Sequence, residues 1–507
     1  LHLPPENRPE LTDEQLLEYD QAIVSVTQHL NDRREALYEL SYETGATKAD
    51  SMIDIDGGIA TLFVYASKGR RELPDDTIYI DGGLEQFSRS GNFVGQHIAT
   101  SLQGVALHIN AFNFPVWGML EKLAPTLLGG VPAIVKPASS TAWLAEAAFR
   151  MMVESGILPE GAVQFIAGST GDLIDRLTLQ DVVSFTGSAA TASMLRANPI
   201  LLKNSVRFVA EQDSLNASIL GPDAAPGTPE FDAFIKEAHR EMTAKAGQKC
   251  TAIRRIIVPD AHKSAVIEAL CDRLSKTTIG NPRDETTRMG ALASHGQRDD
   301  VREKAKRIGQ EARLAFGNLD SVDVANADAR AGAFFSPILF DCADPDGAQS
   351  VHDVEAFGPV STVMGYRDLG HALNIANRGQ GSLVASIFTH DGAVARKVVE
   401  TSGAFHGRLY FANRDTGKDA TGHGSPLPHM IHGGPGRAGG GEELGGVRGV
   451  MHYMQRTAIQ GSPDLLTAIT KSWTPGSKPL EKDTHPFRLS FGDLEIGHTL
   501  WTEARTV

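Results

Sequence analysis

Three side chains in this sequence could act together on the carbonyl group of an aldehyde. Cys250, in the run Ala-Gly-Gln-Lys-Cys-Thr (246–251), offers a thiol that can bond to a carbonyl carbon. Glu211, at the end of an apolar run, offers a carboxylate that can serve as a general base. Asn113 lies in an Asn-Phe-Pro turn, and its amide can donate a hydrogen bond to a developing oxyanion. These residue types together suit acyl-transfer chemistry at a cysteine.

Each of the three residues also has an explanation that involves no chemistry. A single cysteine is more often a small buried hydrophobic residue than a nucleophile. Glu211 could be a solvated surface acid, and Asn113 could stabilise a turn. Asp213 is a close rival of Glu211 for the role of base. The polar neighbours at 248 and 249 argue against a deeply buried position for Cys250.

A nucleotide could bind near two further motifs. The run Phe-Thr-Gly-Ser (185–188) reads as a strand, a turn and the start of a helix, so Gly187 could admit a phosphate to a helix N-terminus. The run lacks a full G-x-G-x-x-G, and it is a weak signal by itself. Lys136, at the end of another apolar run, could meet a ribose or a phosphate, although such a lysine is usually solvated.

The elements around these residues predict parallel α/β structure. Short apolar strands alternate with helices from about 100 to 225, which is typical of a sheet covered on both faces. Such a doubly wound sheet binds ligands at the carboxyl ends of its strands. A second alternating region runs from about 261 to 400. We predict strands near 104–110, 132–136, 162–166 and 182–185, and helices near 115–129, 141–155 and 171–177.

The chain around Cys250 predicts a helix followed by a strand. The segment 228–246 is amphipathic, with Pro229 suited to its first turn and Gly247 to its end. A strand is expected at 252–258. Cys250 should therefore be held just beyond a helix end.

Composition excludes several classes of function. The length of 507 residues suits two or three domains, and the net charge of −14 argues against nucleic acid as the main partner. The sequence contains no run of eighteen apolar residues, so no membrane span is predicted. Cys250, Cys271 and Cys342 are the only cysteines and form no disulfide pattern, so we expect a cytoplasmic protein.

The histidines do not predict a metal site. The sequence contains 17 histidines but no H-x-x-x-H or H-E-x-x-H spacing. Three of them lie close to glycines, and we interpret them as loop residues: His423, His429 and His432.

The order of the motifs carries more information than any one of them. The order is Asn-Phe-Pro (113–115), Lys-Pro-Ala (136–138), Phe-Thr-Gly-Ser (185–188), Glu211, Gly-Gln-Lys-Cys (247–250) and Glu-Ala-Phe-Gly-Pro-Val (355–360). In order and rough spacing the chain resembles the aldehyde dehydrogenase superfamily, from about residue 20 to 470. The resemblance implies an α/β fold of two doubly wound domains, a Rossmann-like cofactor domain and a catalytic domain, with a β-flap for oligomerisation.

The resemblance also implies domain boundaries. We expect the NAD(P)-binding domain at 1–75 and 103–211, the oligomerisation flap at 76–102 and 448–475, and the catalytic domain at 212–447. Residues 476–507 would be a linker toward a MaoC-like hydratase domain that this sequence does not contain. A homo-oligomer built from dimers, up to a hexamer, is expected.

Longer runs narrow the resemblance to one branch. The runs at 108–115, 243–255 and 432–446 resemble the PaaZ-type enzymes of phenylacetate catabolism. These fuse an oxepin-CoA hydrolase to a 3-oxo-5,6-dehydrosuberyl-CoA semialdehyde dehydrogenase. The similar dehydrogenase of benzoyl-CoA catabolism, which acts on 3,4-dehydroadipyl-CoA semialdehyde, is an alternative. Ring-opening hydrolysis is a further alternative if a hydratase module follows 485–507.

The family's catalytic roles can be carried over to matching positions. By this resemblance Cys250 attacks the aldehyde and Asn113 helps to hold the oxyanion. Glu211 activates the water that hydrolyses the thioester, and Lys122 is a candidate proton relay. The presence of the acid favours release of a free carboxylate over acyl transfer to CoA.

The resemblance implies a nicotinamide cofactor as well. Its contacts would be Lys136 and Ser139 at the adenosine ribose, Gly187 and Ser188 at the pyrophosphate, and Glu355 and Phe357 at the nicotinamide riboside. Members specific for NAD often carry a glutamate where this chain has Ser139. The loss of that charge spares a 2′-phosphate from repulsion, so NADP is favoured, with NAD as the alternative. The substrate would be a CoA-thioester aldehyde.

Overall fold

The computed structural model describes residues 13–417 and 419–478. The start of the predicted cofactor domain (1–12) and most of the predicted linker, with the run 485–507, lie outside the described residues. The chain divides into two compact units. One comprises the described residues up to Glu72 together with Leu102–Tyr453, and the other comprises Leu73–Ser101 together with the described residues from Met454 onward.

The helices are α1 (Asp13–Asn31), α2 (Arg34–Ser41), α3 (Lys48–Glu72), α4 (Pro115–Leu128), α5 (Ala142–Glu154), α6 (Ala189–Arg196), α7 (Pro199–Lys203), α8 (Pro229–Thr243), α9 (Lys263–Ser275), α10 (His295–Ile308), α11 (Ser350–Asp353), α12 (Leu369–Asn377), α13 (Gly392–Ser402), α14 (Val447–Val450) and α15 (Pro463–Thr470). Among the described residues, no helix combines the length and the apolar character needed to cross a membrane.

The strands are β1 (Ile78–Ile80), β2 (Glu85–Gln86), β3 (Val94–Ser101), β4 (Ala106–Ile109), β5 (Ala133–Lys136), β6 (Val163–Phe165), β7 (Val182–Thr186), β8 (Arg207–Glu211), β9 (Ala217–Leu220), β10 (Arg255–Pro259), β11 (Arg313–Phe316), β12 (Ile338–Cys342), β13 (Val360–Tyr366), β14 (Ser382–Phe388), β15 (His406–Ala412), β16 (Ile431–Gly433), β17 (Glu442–Leu444) and β18 (Met454–Gly461).

The first parallel sheet has the strand order β6-β5-β4-β7-β8. Its central strands are apolar and buried, which is why they read as short continuous hydrophobic runs. The chain leaves β4 toward β5 on one side and returns to β7 on the other, so the strand order reverses beside β4. Ligands bind at the carboxyl edge of such a reversal. Lys136, Thr186 and Glu211 end three strands at this edge.

The second sheet has the order β11-β12-β13-β10-β9-β14-β15 and is parallel except for β11. Every residue of β13 and β14 is buried, because helices cover both faces of the sheet. Strand β10 begins shortly after Cys250 and pairs with β9 and β13. The predicted α/β class is therefore confirmed.

The second unit contains an antiparallel sheet. Strand β18 pairs with β3 over eight residues, and β1 and β2 pair with β3 as well. The assignment of the three sheets to cofactor binding, catalysis and oligomerisation stays a prediction.

Three predicted elements differ from the structure. The helix expected at 171–177 is only a 3₁₀ turn (Ile174–Arg176), because Gly171 takes a positive φ angle at its start and Leu177 is extended at its end. The helix expected at 228–246 ends at Thr243, and the strand expected at 252–258 is Arg255–Pro259. The lost helical turn gives way to the loop that carries Cys250.

Candidate active site

The loop before Cys250 has an unusual backbone. Lys245 and Ala246 take left-handed angles, with φ of 52° and 51°, and Gly247 follows with φ of 68°. The Lys245 amide donates to a carboxylate oxygen of Asp50 at 2.6 Å, which helps to hold this conformation. An added Cβ at Gly247 would clash with the carbonyl oxygen of residue 358, so a side chain does not fit there.

The carbonyl group of Cys250 is fixed from the neighbouring strand. The Asn216 side-chain amide donates to the Cys250 carbonyl at 2.7 Å and to the Ala252 carbonyl at 3.0 Å. Asn216 lies just before β9 and is fully buried. These two hydrogen bonds fix the backbone on both sides of Thr251, so they hold the loop that carries the thiol.

The polar residues Gln248 and Lys249 predict a position near the surface for this stretch, but the prediction is wrong for these two residues. Gln248 and Lys249 are buried, because each finds polar partners inside. The Lys249 ammonium contacts both carboxylate oxygens of Glu241 at 2.7 and 2.8 Å. The Gln248 amide donates to the Lys245 carbonyl at 3.0 Å. Cys250 itself remains partly exposed and opens into a cavity.

This cavity has a volume of about 70 Å³ and brings the three predicted catalytic residues together. Asn113, Glu211 and Cys250 all line it. Asp213 lies elsewhere, since its carboxylate accepts a hydrogen bond from the Ala189 amide at the start of α6. Of the two rival acids, Glu211 is therefore the one beside the thiol.

Glu211 contacts a residue that sequence reasoning assigned to a loop. The Nε2 atom of His432 lies 2.9 Å from a carboxylate oxygen of Glu211, and both side chains are 3% exposed. The Cys250 sulfur, a Glu211 oxygen and a His432 ring nitrogen all lie within 4.8 Å of one another. The interpretation of His432 as an ordinary loop residue is wrong, because it lies in strand β16 and faces the thiol.

A signal for His432 exists in the sequence but is weak. Strand β16 pairs with β17 across the glycine-rich run, and His432 lies opposite Glu443. Two short polar strands of three residues give no clear hydrophobic alternation, so the hairpin resembles a loop. His423 is also buried, with its Nε2 atom 2.9 Å from the Thr251 carbonyl, whereas His429 is exposed.

The charges around the site shift its pKa values. Burial opposes the carboxylate of Glu211, but the charge and hydrogen bond of His432 and the charge of Lys122 lower its pKa below the usual range. Burial opposes the protonated form of His432, yet Glu211 raises its pKa. Burial, followed by the Glu211 charge, raises the pKa of the Cys250 thiol. These shifts favour a neutral thiol beside a charged pair of Glu211 and His432.

Lys122 lies behind this ion pair in a buried cluster. Its ammonium is 3.3 Å from Glu121 and 3.2 Å from Glu443. Ser184 donates to the Glu443 carboxylate at 3.1 Å. Burial disfavours the charge on Lys122, but these two acids raise its pKa. The predicted relay residue is thus connected to the acids around Glu211.

The predicted cofactor residues occupy the carboxyl edge of the first sheet. The Lys136 ammonium donates to the Pro137 carbonyl at 3.0 Å, and burial lowers its pKa. Ser139 is exposed in the turn that follows. The Gly187 amide donates to the Glu211 carbonyl at 3.1 Å. Ser188 caps α6 by accepting from the Thr191 amide at 3.3 Å.

Glu355 and Phe357 lie on the segment before β13. A Glu355 carboxylate oxygen accepts from the Ser214 amide at 3.2 Å, and burial raises the pKa of Glu355 to about 7. The Phe357 ring meets the edge of the Phe112 ring at 5.8 Å, and the Arg254 guanidinium lies over it at 5.5 Å. These two contacts restrict the position of the ring.

The carboxyl edge offers unsatisfied polar groups to a ligand. The side chains of Asn110 and Thr186 end in buried polar atoms that have no hydrogen-bond partner among the described residues. Both lie where strands β4 and β7 end, beside the reversal in strand order. Unsatisfied polar groups at that point are suited to a polar ligand.

Comparison with known proteins decides the family. The model of the aldehyde dehydrogenase family matches residues 12–459. The chain belongs to the aldehyde dehydrogenase family. The resemblance found in the order of its motifs is thereby confirmed.

Two relatives of this aldehyde dehydrogenase have informative names. This chain is 44% identical over 414 residues to the 3,4-dehydroadipyl-CoA semialdehyde dehydrogenase of Aromatoleum evansii, and the match covers 82% of this chain and 80% of the relative. It is 47% identical over 220 residues to Protein MaoC of Klebsiella aerogenes, covering 43% of this chain and 64% of that protein.

Solved structures agree on the fold. A betaine aldehyde dehydrogenase from Staphylococcus aureus in complex with NAD⁺ superimposes with a TM-score of 0.75 at 24% identity. The match covers 88% of this chain and 82% of that one. The aldehyde dehydrogenase fold expected from the sequence is therefore confirmed.

Proposed function

We propose that this aldehyde dehydrogenase oxidises a CoA-linked semialdehyde to its carboxylate, with NADP as the hydride acceptor, in the breakdown of aromatic compounds. The observation that carries the proposal is the shared cavity of Cys250, Asn113 and Glu211. The name of the relative from Aromatoleum evansii supports the substrate class. That name makes 3,4-dehydroadipyl-CoA semialdehyde the first substrate to test. It also favours benzoyl-CoA catabolism over phenylacetate catabolism as the pathway.

In the first half of the reaction the Cys250 thiol gives its proton to solvent water in the cavity, and the thiolate sulfur then adds to the aldehyde carbon and forms a thiohemiacetal. The Asn113 amide and the Cys250 backbone amide stabilise the oxyanion. The bound nicotinamide would accept the hydride that leaves the former aldehyde carbon. The protein is then left with a thioester on Cys250.

In the second half Glu211 takes a proton from water, and the water oxygen attacks the thioester carbonyl. The carbon–sulfur bond breaks, the carboxylic acid leaves, and the proton on Glu211 returns to the sulfur. Lys122 and the acids beside it, Glu121 and Glu443, continue from Glu211 into the interior and would carry excess protons away. A reducing cytoplasm suits a cycle that needs a free thiol.

The CoA part should matter for catalytic efficiency. Apolar side chains line the cavity, including Phe114, Trp117 and Pro426, and Arg240 lies among the lining residues with 41% of its side chain exposed. A carbon chain would pack against the apolar wall, and contacts to the remote CoA group would add binding energy. We expect kcat/KM for the CoA-linked semialdehyde to exceed that for a free aldehyde of equal chain length by at least about 100-fold.

Steady-state assays of NADPH formation with the two compounds test this expectation. The semialdehyde of the same length with a free carboxylate in place of the CoA thioester is the control, because it keeps a polar group at that end without CoA. Equal kcat/KM values for all three compounds would remove the CoA-linked substrate from the proposal and leave a general aldehyde dehydrogenase.

The cofactor preference depends on Ser139. At equal concentrations NADP should be reduced faster than NAD, and Ser139→Glu should lower NADP use at least about tenfold, because a carboxylate repels the 2′-phosphate. Initial rates with both cofactors measure the effect, and an unchanged thermal midpoint shows that the variant is folded. A wild-type preference for NAD would overturn the inference from Ser139.

We further propose that the protein forms a homo-oligomer. Strands β18 and β15 lie at the edges of their sheets and offer backbone groups for pairing with a second copy. Light scattering of the protein in solution measures its mass. The alternative of ring-opening hydrolysis concerns residues after 478, which lie outside the described part of the chain.

A further inference from the structure

The proposed reaction does not use the contact between His432 and Glu211. Both side chains are 3% exposed, and their polar atoms are 2.9 Å apart. A general base must be both deprotonated and correctly aimed when water attacks. A buried carboxylate without a partner would satisfy neither condition, because burial favours its protonated form.

The acids in this part of the interior favour a second cation beside Glu211. Three acids face His432 through space, Glu211, Glu121 and Glu443, and Lys122 is the positive group among them. Lys249 is occupied by Glu241. Burial and the neighbouring acids raise the pKa of Glu443 to about 7 although Lys122 lowers it, so one ammonium does not fully offset the acidic groups here.

His432 can supply that charge through the nitrogen that contacts Glu211. Its own pKa is raised by Glu211, Glu121 and Glu443 against the effect of burial, which agrees with a protonated ring. Its Nδ1 atom is buried and has no hydrogen-bond partner among the described residues. The ring is therefore engaged through Nε2 and Glu211.

The hairpin of β16 and β17 is built to present two side chains at once. His432 and Glu443 are directly opposite in the pair, and His432 contacts Glu211 while Glu443 contacts Lys122. Gly433 has φ of 141°, and an added Cβ there would clash with the carbonyl oxygen of Gly441. The glycines let the two strands approach closely enough to hold both groups in the interior.

We propose that His432 is a positioning residue for hydrolysis of the thioester. Its Nε2–H donates to one oxygen of Glu211, which fixes the carboxylate and keeps it ionised, while the other oxygen takes the proton of water. That proton then returns to the Cys250 sulfur as the carbon–sulfur bond breaks. The proton on His432 stays on Nε2 throughout, so no net charge is added to the site. This inference rests on the proposed function.

The test compares two substitutions by their pH profiles. His432→Leu removes both the N–H donor and the charge, and His432→Gln keeps an N–H donor without the charge. His432 lowers the pKa of Glu211, so its removal raises that pKa, and the base form is then lost at a higher pH. The acidic limb of steady-state turnover should move up by at least about one pH unit in both variants.

The two variants should differ on the alkaline plateau. There Glu211 is ionised in both, so we expect turnover to fall at least about tenfold in His432→Leu and to be partly restored in His432→Gln. The rate of the first NADPH burst should stay within about threefold of wild type, because hydride transfer does not use the base. A small aldehyde that the wild type oxidises is the substrate, and His429→Gln, an exposed histidine nearby, is the control.

Several results would overturn the proposal. An acidic limb that stays in place in both variants would show that His432 does not set the ionisation of Glu211. Equal losses in the burst and in steady-state turnover would show a general structural role. If His432→Leu does not fold, the acidic limb of the pH profile of His432→Gln alone tests the proposal. Failure of the proposed function is distinguishable, since the wild type would then show no aldehyde-dependent NADPH formation at all.

Discussion

Replacement of Cys250 by alanine should reduce aldehyde-dependent NADPH formation at least about 1,000-fold. The variant lacks the sulfur that bonds to the aldehyde carbon, and no other described cysteine lines the cavity. Without the thiohemiacetal, the hydride has no tetrahedral carbon to leave. The measurement is the rate of NADPH appearance at saturating aldehyde, read for both the burst and the steady state.

Cys271→Ala is the matched control. Cys271 lies on α9, and its sulfur is 3.8 Å from the Ala315 carbonyl, so its removal should leave the rate unchanged. Cofactor binding by Cys250→Ala, followed by fluorescence, shows that the variant is folded. Turnover by Cys250→Ala above about a tenth of the wild-type rate would contradict covalent catalysis by this thiol.

Replacement of Glu211 by glutamine should separate the two halves of the reaction. The amide has the size of the carboxylate but cannot take a proton from water, so thioester hydrolysis should slow by about 100- to 1,000-fold. The first hydride transfer precedes that step and should keep its rate. Stopped-flow assays should therefore show a burst of about one NADPH per site, followed by a much slower steady state.

Asp213→Asn is the control for this experiment. Asp213 accepts from the Ala189 amide and should affect the start of α6 rather than hydrolysis. If Glu211→Gln loses the burst while the protein stays folded, Glu211 acts before hydride transfer and the division of labour is different. If Asp213→Asn gives the slow steady state instead, the base has been assigned to the wrong acid.

The sequence alone predicts the parts of this site that lie at the ends of regular elements. Lys136 and Glu211 each end a buried parallel strand, and the carboxyl edge of such a sheet is a defined place. The sequence pattern predicts that Cys250 lies between a helix and a strand, and the structure places it between α8 and β10. The apolar runs of β4, β5 and β7 explain this success, because continuous hydrophobic strands between helices have few alternative folds.

His432 shows what a sequence pattern does not reveal. Its strand has three residues, and its partner strand lies beyond a glycine-rich run, so no periodicity distinguishes it from a loop. Its importance depends on a contact with Glu211, which lies 221 residues earlier in the chain. Contacts of this kind are set by how two elements pack and not by local preference.

Lys245 and Ala246 illustrate the same limit in the backbone. An amphipathic stripe predicts that the helix continues to 246, yet a carboxylate oxygen of Asp50 draws the Lys245 amide out of the helix. Lys245 also donates to the Thr44 hydroxyl at 2.8 Å from a buried position. Tertiary hydrogen bonds from the first helices thus override a local helical preference, and they shape the loop of the nucleophile.

The measurement that tests the central claim most directly is the mass of the acyl-enzyme. Glu211→Gln is mixed with aldehyde and NADP, quenched in acid after the burst, and analysed by intact mass and peptide mapping. The account predicts an adduct on the peptide that contains Cys250, with the mass of the aldehyde less two hydrogen atoms, as a thioester requires. An unmodified Cys250 after a full burst, or an adduct on another residue, would contradict it.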